Sequence, residues 1–572
     1  MSRQSVLDQL RHQPEVSVLI IGAGINGIGV FRDLALQGVD VLMVDRGDYC
    51  SGASAASSHM AHGGLRYLEN GEFRLVHEAL VERNRLLRNA PHYVKPLPTT
   101  FPIFSRFSGL LNAPLKFLGL RDKPSERGWL VIKLGMIFYD FLAREYRTMP
   151  THSFETRERA LARRPAFNPN VLATATYYDA WMPYPERICL ELIFDAQADC
   201  DQARALNYVS VVEGAGDRVT LRDELSGETI SVRPKVVINA AGPWIDLANR
   251  AIKRDTRYIG GTKGSHLILD CPELYQACDG HEIFFENRDG RIVLIFPFMG
   301  KVMVGTTDIR VDDPDAARCS DEEVEYMLNL INVVFPTIRV ERSHIVFWFC
   351  GVRPLPRSDA SRTGAITRDH SIEILEPDSD LAFPVLSLVG GKWTTYRAFA
   401  EQTTDQVLQR LGRQRLHSTA DVPIGGGKGF PKSAVDQQQW AADLSARTGI
   451  TTDRAQVLLE RYGTYAGQVA AYIAAGPDAP LDGDNTYTRR EVMFIAQHEQ
   501  VIHLDDFILR RTLLGMVGKV DGALLANLGA IVGEALNWSE TQRQQEIDRA
   551  AQILIGNHGV SPDKLRQALL DR

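Results

Sequence analysis

Residues 16–45 read VSVLIIGAGINGIGVFRDLALQGVDVLMVD. The opening run of Val, Leu and Ile ends in glycine, the pattern of a strand buried in a parallel sheet. Ile28, Phe31, Leu34 and Ala35 then recur at helical spacing, and Gly38 stops the helix they predict. VDVLMVD, residues 39–45, reads as a second strand. The unit is therefore strand, Gly22-x-Gly24-x-x-Gly27, helix, strand, with Asp45 at its end and Asn26 inside the turn. Gly22 permits the tight turn, Gly24 lets a pyrophosphate approach the backbone, Gly27 brings helix against strand, and Asp45 suits ribose hydroxyls. This predicts a dinucleotide site without separating flavin from nicotinamide. The terminal acid argues against a 2′-phosphate.

The chain has 572 residues, more than one hydrophobic core supports, so two or three domains are expected. A hydrophobic fraction of 44% and a charged fraction of 24% are those of a globular protein, and a net charge of −7 offers no global attraction to nucleic acid. The seven cysteines form no C-x-x-C pair and no Cys/His cluster at zinc spacing, so they read as reduced thiols and no metal site is expected. The polar start, MSRQSVLDQLRHQPEVS, lacks a signal peptide's apolar core, and no uncharged apolar run approaches the roughly 18 residues of a membrane span. A cytoplasmic protein is expected, lying on a membrane if it meets one.

After the nucleotide unit comes Gly52-Ala53-Ser54-Ala55-Ala56-Ser57-Ser58-His59, small and hydroxylated, then Ala61-His62-Gly63-Gly64-Leu65-Arg66-Tyr67-Leu68. Further blocks follow in order: Asn239-Ala240-Ala241-Gly242-Pro243-Trp244, Lys263-Gly264-Ser265-His266, Val304-Gly305-Thr306-Thr307-Asp308, Gly351-Val352-Arg353-Pro354-Leu355, Ala365-Ile366-Thr367-Arg368-Asp369 and Gly390-Gly391-Lys392-Trp393-Thr394-Thr395-Tyr396. His498-Glu499, Asp505-Asp506 and Arg510-Arg511-Thr512 complete the series. In this order the blocks resemble the FAD-dependent glycerol-3-phosphate dehydrogenases, the flavoprotein type that feeds electrons to quinone.

The resemblance implies an α/β fold (α+β over the whole chain). It has a Rossmann-like FAD domain of the glutathione-reductase and D-amino-acid-oxidase type, an interposed substrate domain with an antiparallel or mixed sheet, and an all-helical C-terminal domain. On this reading residues 1–95, 170–250 and 350–412 build the FAD domain, 96–169 and 251–349 the substrate cap, and 418–572 the helical domain. PIGGGKGFPKS reads as the linker to the last. Cofactor contacts fall to Gly22, Gly24, Asn26, Gly27, Asp45, Ser54, Ser58, Gly63, Gly64, Ala241, Gly242, Gly391, Lys392, Thr394 and Thr395. Helix-like residues after Gly391 add an N-terminal dipole that suits the negative end of a reduced flavin, which favours FAD over NAD.

The activity implied is oxidation of sn-glycerol 3-phosphate at C2 to dihydroxyacetone phosphate, with hydride to flavin N5 and electrons onward to quinone. Arginine forks match phosphate, which points to Arg353 and Arg368, with Lys392 at the glycine turn serving flavin or substrate. Arg66 and Tyr67 line the same pocket by resemblance. A histidine near neutral pKa suits the hydroxyl proton, and His62 and His266 are both candidates beside Arg353.

Three departures stand out. His59 replaces the lysine usual after the paired serines. YDAWMPYPER, residues 178–187, has Pro183 and Pro185 in a stretch expected to cap the site. Residues 105–133 hold six basic residues against two acidic among Phe and Leu, the composition of a segment meeting anionic lipid at the membrane's inner face or of a helix packed on its own domain. A changed cap suits another polyol phosphate, such as an erythritol phosphate. An amine or amino-acid oxidase and a catalytically weak FAD-binding membrane partner are more distant readings, and a homodimer is left open.

Overall fold

The computed structural model describes residues 3–64, 72–104, 133, 135–137, 139–140, 149–287, 291–358 and 366–569. Arg66, Tyr67 and, apart from Lys133, the 105–133 segment lie outside them. In chain order the elements that frame the site begin with β1 (Glu15–Ile21), α1 (Ile25–Leu36), β2 (Val41–Val44), α2 (Phe73–Asn89), β3 (Lys95–Ile103), β4 (Ala173–Trp181), α3 (Pro185–Asp199) and β5 (Ala203–Leu206). There follow β6 (Thr229–Asn239), β7 (Thr262–Leu269), β8 (Glu282–Glu286), β9 (Ile292–Phe298), β10 (Lys301–Gly305) and α4 (Asp321–Val334). Last come β11 (Ile345–Arg353), β12 (Ser371–Leu375), β13 (Val385–Val389) and α5 (Tyr396–Arg410).

The first sheet runs β12-β13-β6-β1-β2-β5, parallel from β13 to β5 with β12 antiparallel at the edge. β1 and β13 are apolar runs because α1, α3 and α5 cover one face and a second apolar cluster covers the other. The second sheet is ten-stranded and mixed: β7-β10-β9-β8-β3-β4 is antiparallel except for the parallel β8 and β3 pair, and β11 pairs with β7. β4, from the 170–250 segment, belongs to this second sheet.

Side-chain alternation lets the second sheet serve two cores at once. On β9, Val293 and Ile295 pack toward α4, while Leu294, Phe296 and Phe298 pack against the C-terminal helices. Those helices include Thr452–Tyr462, Arg489–His498 and Gly522–Leu536. The region is not wholly helical, since Pro480–Leu481 and Asp484–Thr488 form a short antiparallel ribbon. Nor is PIGGGKGFPKS a free linker. Gly425 and Gly426 donate their N–H groups to Asp195 and Glu191 on α3, and a Cβ on Gly426 would meet the Tyr462 carbonyl at 1.9 Å.

A buried charge cluster ties the helical region to the loop after β2. Asp48 accepts from Arg511 at 2.5 and 3.0 Å and from Arg510 at 2.5 Å. Asp506 accepts from the Ile502 and His503 amides, as a helix-capping acid should, while Asp505 pairs with Arg510 and Arg549. Pro183 and Pro185 do not build a cap: Pro185 starts α3, and Arg187 is buried in a two-pronged pair with Glu499 at 2.8 and 2.9 Å. No helix among the described residues is long and apolar enough to cross a membrane.

Candidate active site

A cavity of about 1430 Å³ runs from the carboxyl ends of β1 and β2 to the second sheet. It exceeds the roughly 300–1,000 Å³ of a common small-molecule site, which leaves room for a dinucleotide and a substrate together. At the nucleotide end Gly22 has φ +102°, and a Cβ there would lie 2.7 Å from the Ala240 carbonyl oxygen. Gly27 packs its Cα against the Gly22 carbonyl, as the fingerprint requires. Asp45 accepts the Ala23 and Gly47 amides at 2.7 and 2.9 Å, and burial raises its pKa to about 6.

Ser54 accepts the Ile25 amide at the start of α1, and its carbonyl accepts the Trp393 indole N–H, joining the fingerprint to the second glycine turn. Gly390 and Gly391 have φ +79° and +92°, and a Cβ on Gly391 would strike Asn26 at 2.7 Å. Asn26 donates to the Gly390 carbonyl, while its buried Oδ1 has no hydrogen-bond partner among the described residues. Gly24, Ala241, Gly242, Gly391 and Lys392 all line the cavity. A glycine-walled cradle, an acid at the second strand's end and an orphaned amide oxygen together fit a dinucleotide such as FAD.

Toward the second sheet the cavity meets Ser58, His62, Gly64, His266, Arg353, Arg368 and Thr394. Thr394 clamps His62: its hydroxyl accepts the His62 N–H at 3.1 Å and donates to the His62 carbonyl at 3.2 Å. Burial lowers the His62 pKa to about 4, Asp179 pulls it back up, and Lys392, Arg368 and Arg83 push it down. His266 stacks on Phe349 at 4.7 Å and bonds Ser58 through Nε2 at 2.8 Å. Burial drives its pKa well below the ordinary value, and Arg353 and His59 add to the effect.

Arg353 ends β11 and lies over Gly264, where a Cβ would collide with the guanidinium at 2.2 Å. One nitrogen reaches Asp308 at 3.3 Å, and the other donates to Thr306 and Thr307. Arg368 approaches the second oxygen of Asp308 at 3.8 Å. Behind this loop Glu323 on α4 accepts from Thr307, Ser265 and Lys263, fixing the Arg353 contacts from below. Burial lowers the Lys392 pKa to about 7, against the pull of Glu72 and Asp369.

Of the expected cofactor contacts, Gly27, Gly63 and Thr395 do not line the cavity. Thr395 is fully buried off the cavity. Gly63 faces Tyr139 and Leu80, leaving Gly64 on the cavity wall. His59, at φ +53°, turns inward against Phe298 and Phe349, so the lysine-to-histidine departure touches the core. Sequence reasoning missed Asp179, a cavity-lining carboxylate on β4. Its signal was an acid in the apolar run ATATYYDAW, on the face that buries Tyr177 and Ala175.

Residues 17–377 match the family described as FAD dependent oxidoreductase, and residues 417–543 match the C-terminal domain of alpha-glycerophosphate oxidase. The glycerol-3-phosphate dehydrogenase of Synechocystis sp. is 33% identical over 580 residues, covering 96% of this chain and 99% of that one. The chain belongs to the FAD-dependent glycerol-3-phosphate dehydrogenase family.

The aerobic glycerol-3-phosphate dehydrogenase of Escherichia coli is 30% identical, covering 87% of this chain and 94% of that one. D-erythritol 1-phosphate dehydrogenase of Brucella abortus is also 30% identical, covering 87% and 95%. The fold is that of the Bacillus halodurans glycerol-3-phosphate dehydrogenase solved with FAD, at TM-score 0.74 and 24% identity over 98% of each chain.

Proposed function

We propose that the protein oxidises sn-glycerol 3-phosphate at C2 to dihydroxyacetone phosphate. The observation that carries this is the meeting, in one cavity, of the dinucleotide cradle with Arg353, Arg368, Lys392 and His62. Arg353 and Arg368 bind the phosphate beside Asp308: both contacts to that carboxylate are long, so a dianion displaces or bridges them at little cost. Lys392, at the N-terminal side of the turn leading into α5, adds positive charge where the helix dipole already favours an anion. His62 takes the hydroxyl proton; it has a carboxylate near it, whereas His266 is held by Ser58 and faces Arg353. Gly22, Gly24, Asn26, Asp45, Ser54, Gly242 and Gly391 hold FAD, which supplies the two-electron acceptor.

Quinone as the onward acceptor, and a peripheral position on the inner face of the cytoplasmic membrane, are supported by the resemblance and by the basic, apolar composition of residues 105–133. The grouping of two arginines and a lysine disfavours an amino-acid oxidase, which would need one carboxylate-binding arginine in an apolar pocket.

A second reading keeps the chemistry and changes the substrate to a four-carbon polyol phosphate. The Brucella relative, as similar as the Escherichia coli one, favours it. Anaerobic addition of sn-glycerol 3-phosphate and, separately, D-erythritol 1-phosphate to the flavin-loaded protein decides between them. Rapid bleaching by glycerol 3-phosphate supports the first reading, bleaching by the tetritol phosphate alone supports the second, and bleaching by neither refutes both.

A further inference from the structure

Asp179 sits near the end of β4, is 1% exposed, and still lines the cavity. Its Oδ1 accepts three donors: the Gly63 amide at 3.0 Å, Arg83 at 2.9 Å and the Tyr139 hydroxyl at 2.9 Å. Arg83 is itself bound to Tyr139, the Tyr178 carbonyl and Asn84, so the carboxylate is held on a rigid base. Among the described residues its buried Oδ2 makes no hydrogen bond, although the Tyr177 hydroxyl on the same strand lies near the carboxylate. An unsatisfied buried carboxylate oxygen is costly, and one on a residue that lines the reaction cavity asks for a donor that arrives during turnover.

The neighbour tied to this carboxylate is His62. Thr394 grips its backbone on one side, and the Asp179 bond to Gly63 N–H grips the next residue on the other. Gly63 is required for that grip, because a Cβ would collide with Tyr139 at 2.2 Å and Leu80 at 2.5 Å. Among the described residues, the charged groups that act most strongly on His62 are Lys392 on the glycine turn, Arg368 in the loop before β12, Arg83 on α2 and Asp179 on β4. Three of these are cations. A ring that gains a proton among them needs an anion beside it, and Asp179 is the carboxylate among these groups.

We propose that Asp179 is the positioning residue and counter-ion of His62, its free oxygen receiving the N–H of the imidazolium formed during substrate oxidation. This rests on the dehydrogenase reading above. In the step, the C2–H bond breaks with its electron pair, which leaves as hydride to the flavin. The O–H bond breaks and its pair becomes the second bond of the carbonyl. The proton goes to the imidazole, whose new charge is balanced across the contact to Asp179. The substrate loses a hydride and a proton, and no further reactant is needed.

The test is the pH dependence of anaerobic flavin reduction by the proposed substrate in the full-length holoprotein. Wild-type bleaching checks the dehydrogenase reading first and separately. In Asp179→Asn, FAD absorbance and substrate affinity stay within about threefold of wild type, while the limiting reduction rate falls roughly tenfold or more. The acid limb of the rate profile moves about one unit to lower pH, because the ring has lost the anion that favours its protonated form. Asp179→Glu restores the limb and most of the rate. Tyr139→Phe, which removes a neutral donor and leaves the charge, keeps the limb in place. An unmoved limb in Asp179→Asn, or an equal displacement in Tyr139→Phe, overturns the proposal. If Asp179→Asn loses flavin, Asp179→Glu decides: a wild-type limb supports the role, and a displaced limb or lost flavin overturns it.

Discussion

The Asp48 cluster permits a quantitative test of how the C-terminal region holds the nucleotide domain. Asp48 and Arg511 are each fully buried, joined by two hydrogen bonds, and Arg510 adds a third. Asp48→Asn preserves the shape and leaves Arg511 as an uncompensated buried charge, a change that costs about 3–5 kcal/mol. With an unfolding entropy of about 2.1 cal/mol/K per residue, that loss lowers Tm by about 2.5–4 °C if all 572 residues melt together. If a helical unit of about 150 residues melts on its own, the same loss lowers its transition by about 10–16 °C. Differential scanning calorimetry therefore reads both the strength of the cluster and the size of the unit it holds. Burial pushes the Asp48 pKa up, but Arg511 and Arg510 outweigh it, and the carboxyl ends well below its ordinary range. A depressed acid contributes stability above its unfolded pKa and loses it as pH falls through the folded value. The gap between wild type and variant accordingly stays constant from pH 8 to pH 5 and closes only in strong acid. A shift under 1 °C, or a gap that closes near neutrality, refutes the reasoning. Pairing Asp48→Asn with Arg511→Met is expected to cost less than the sum of the two singles.

Arg353→Ala raises the substrate KM at least tenfold or abolishes turnover while flavin stays bound, as expected if Arg353 is the proposed phosphate ligand; an unchanged kcat/KM removes the assignment. Gly22→Ala forces a Cβ against the Ala240 carbonyl at a positive φ, so the purified variant carries under a tenth of the wild-type flavin per chain, read from its visible absorbance. Lys392, with its pKa lowered by burial to about 7, is charged below that pH and neutral above it, so substrate binding weakens as pH rises through about 7. Lys392→Met flattens that limb, and a binding constant independent of pH between 6 and 8 in wild type argues against the lysine's role.

The parts of the fold that were legible in the sequence are those whose determinants are local. Gly22, Gly24 and Gly27 read correctly because turn, helix start and helix packing all lie within six residues. What stayed hidden depends on partners far along the chain. Asp179 acquires its setting from Gly63, 116 residues earlier, and Asp48 from Arg511, 463 residues later. The prolines at 183 and 185 suggested a cap because the start of a buried helix and an exposed loop share the same residues; only the Arg187 pair with Glu499 tells them apart. The burial of His59 stayed hidden for a different reason. Its positive φ reverses the side-chain direction set by the serines before it, and no spacing rule carries that information.

The order of strands in the first sheet also bears on how the chain is made. β1 lies between β6 and β2, and β6 needs β13 at its other side, so the parallel sheet is incomplete until residue 389 has left the ribosome. Until then β6 is an exposed apolar edge, and the late arrival of Arg511 leaves Asp48 waiting longer still. A chain terminated before β13 would therefore present that edge to chaperones and proteases, and flavin can be captured only once Gly390 to Thr394, which line the cavity, have also emerged.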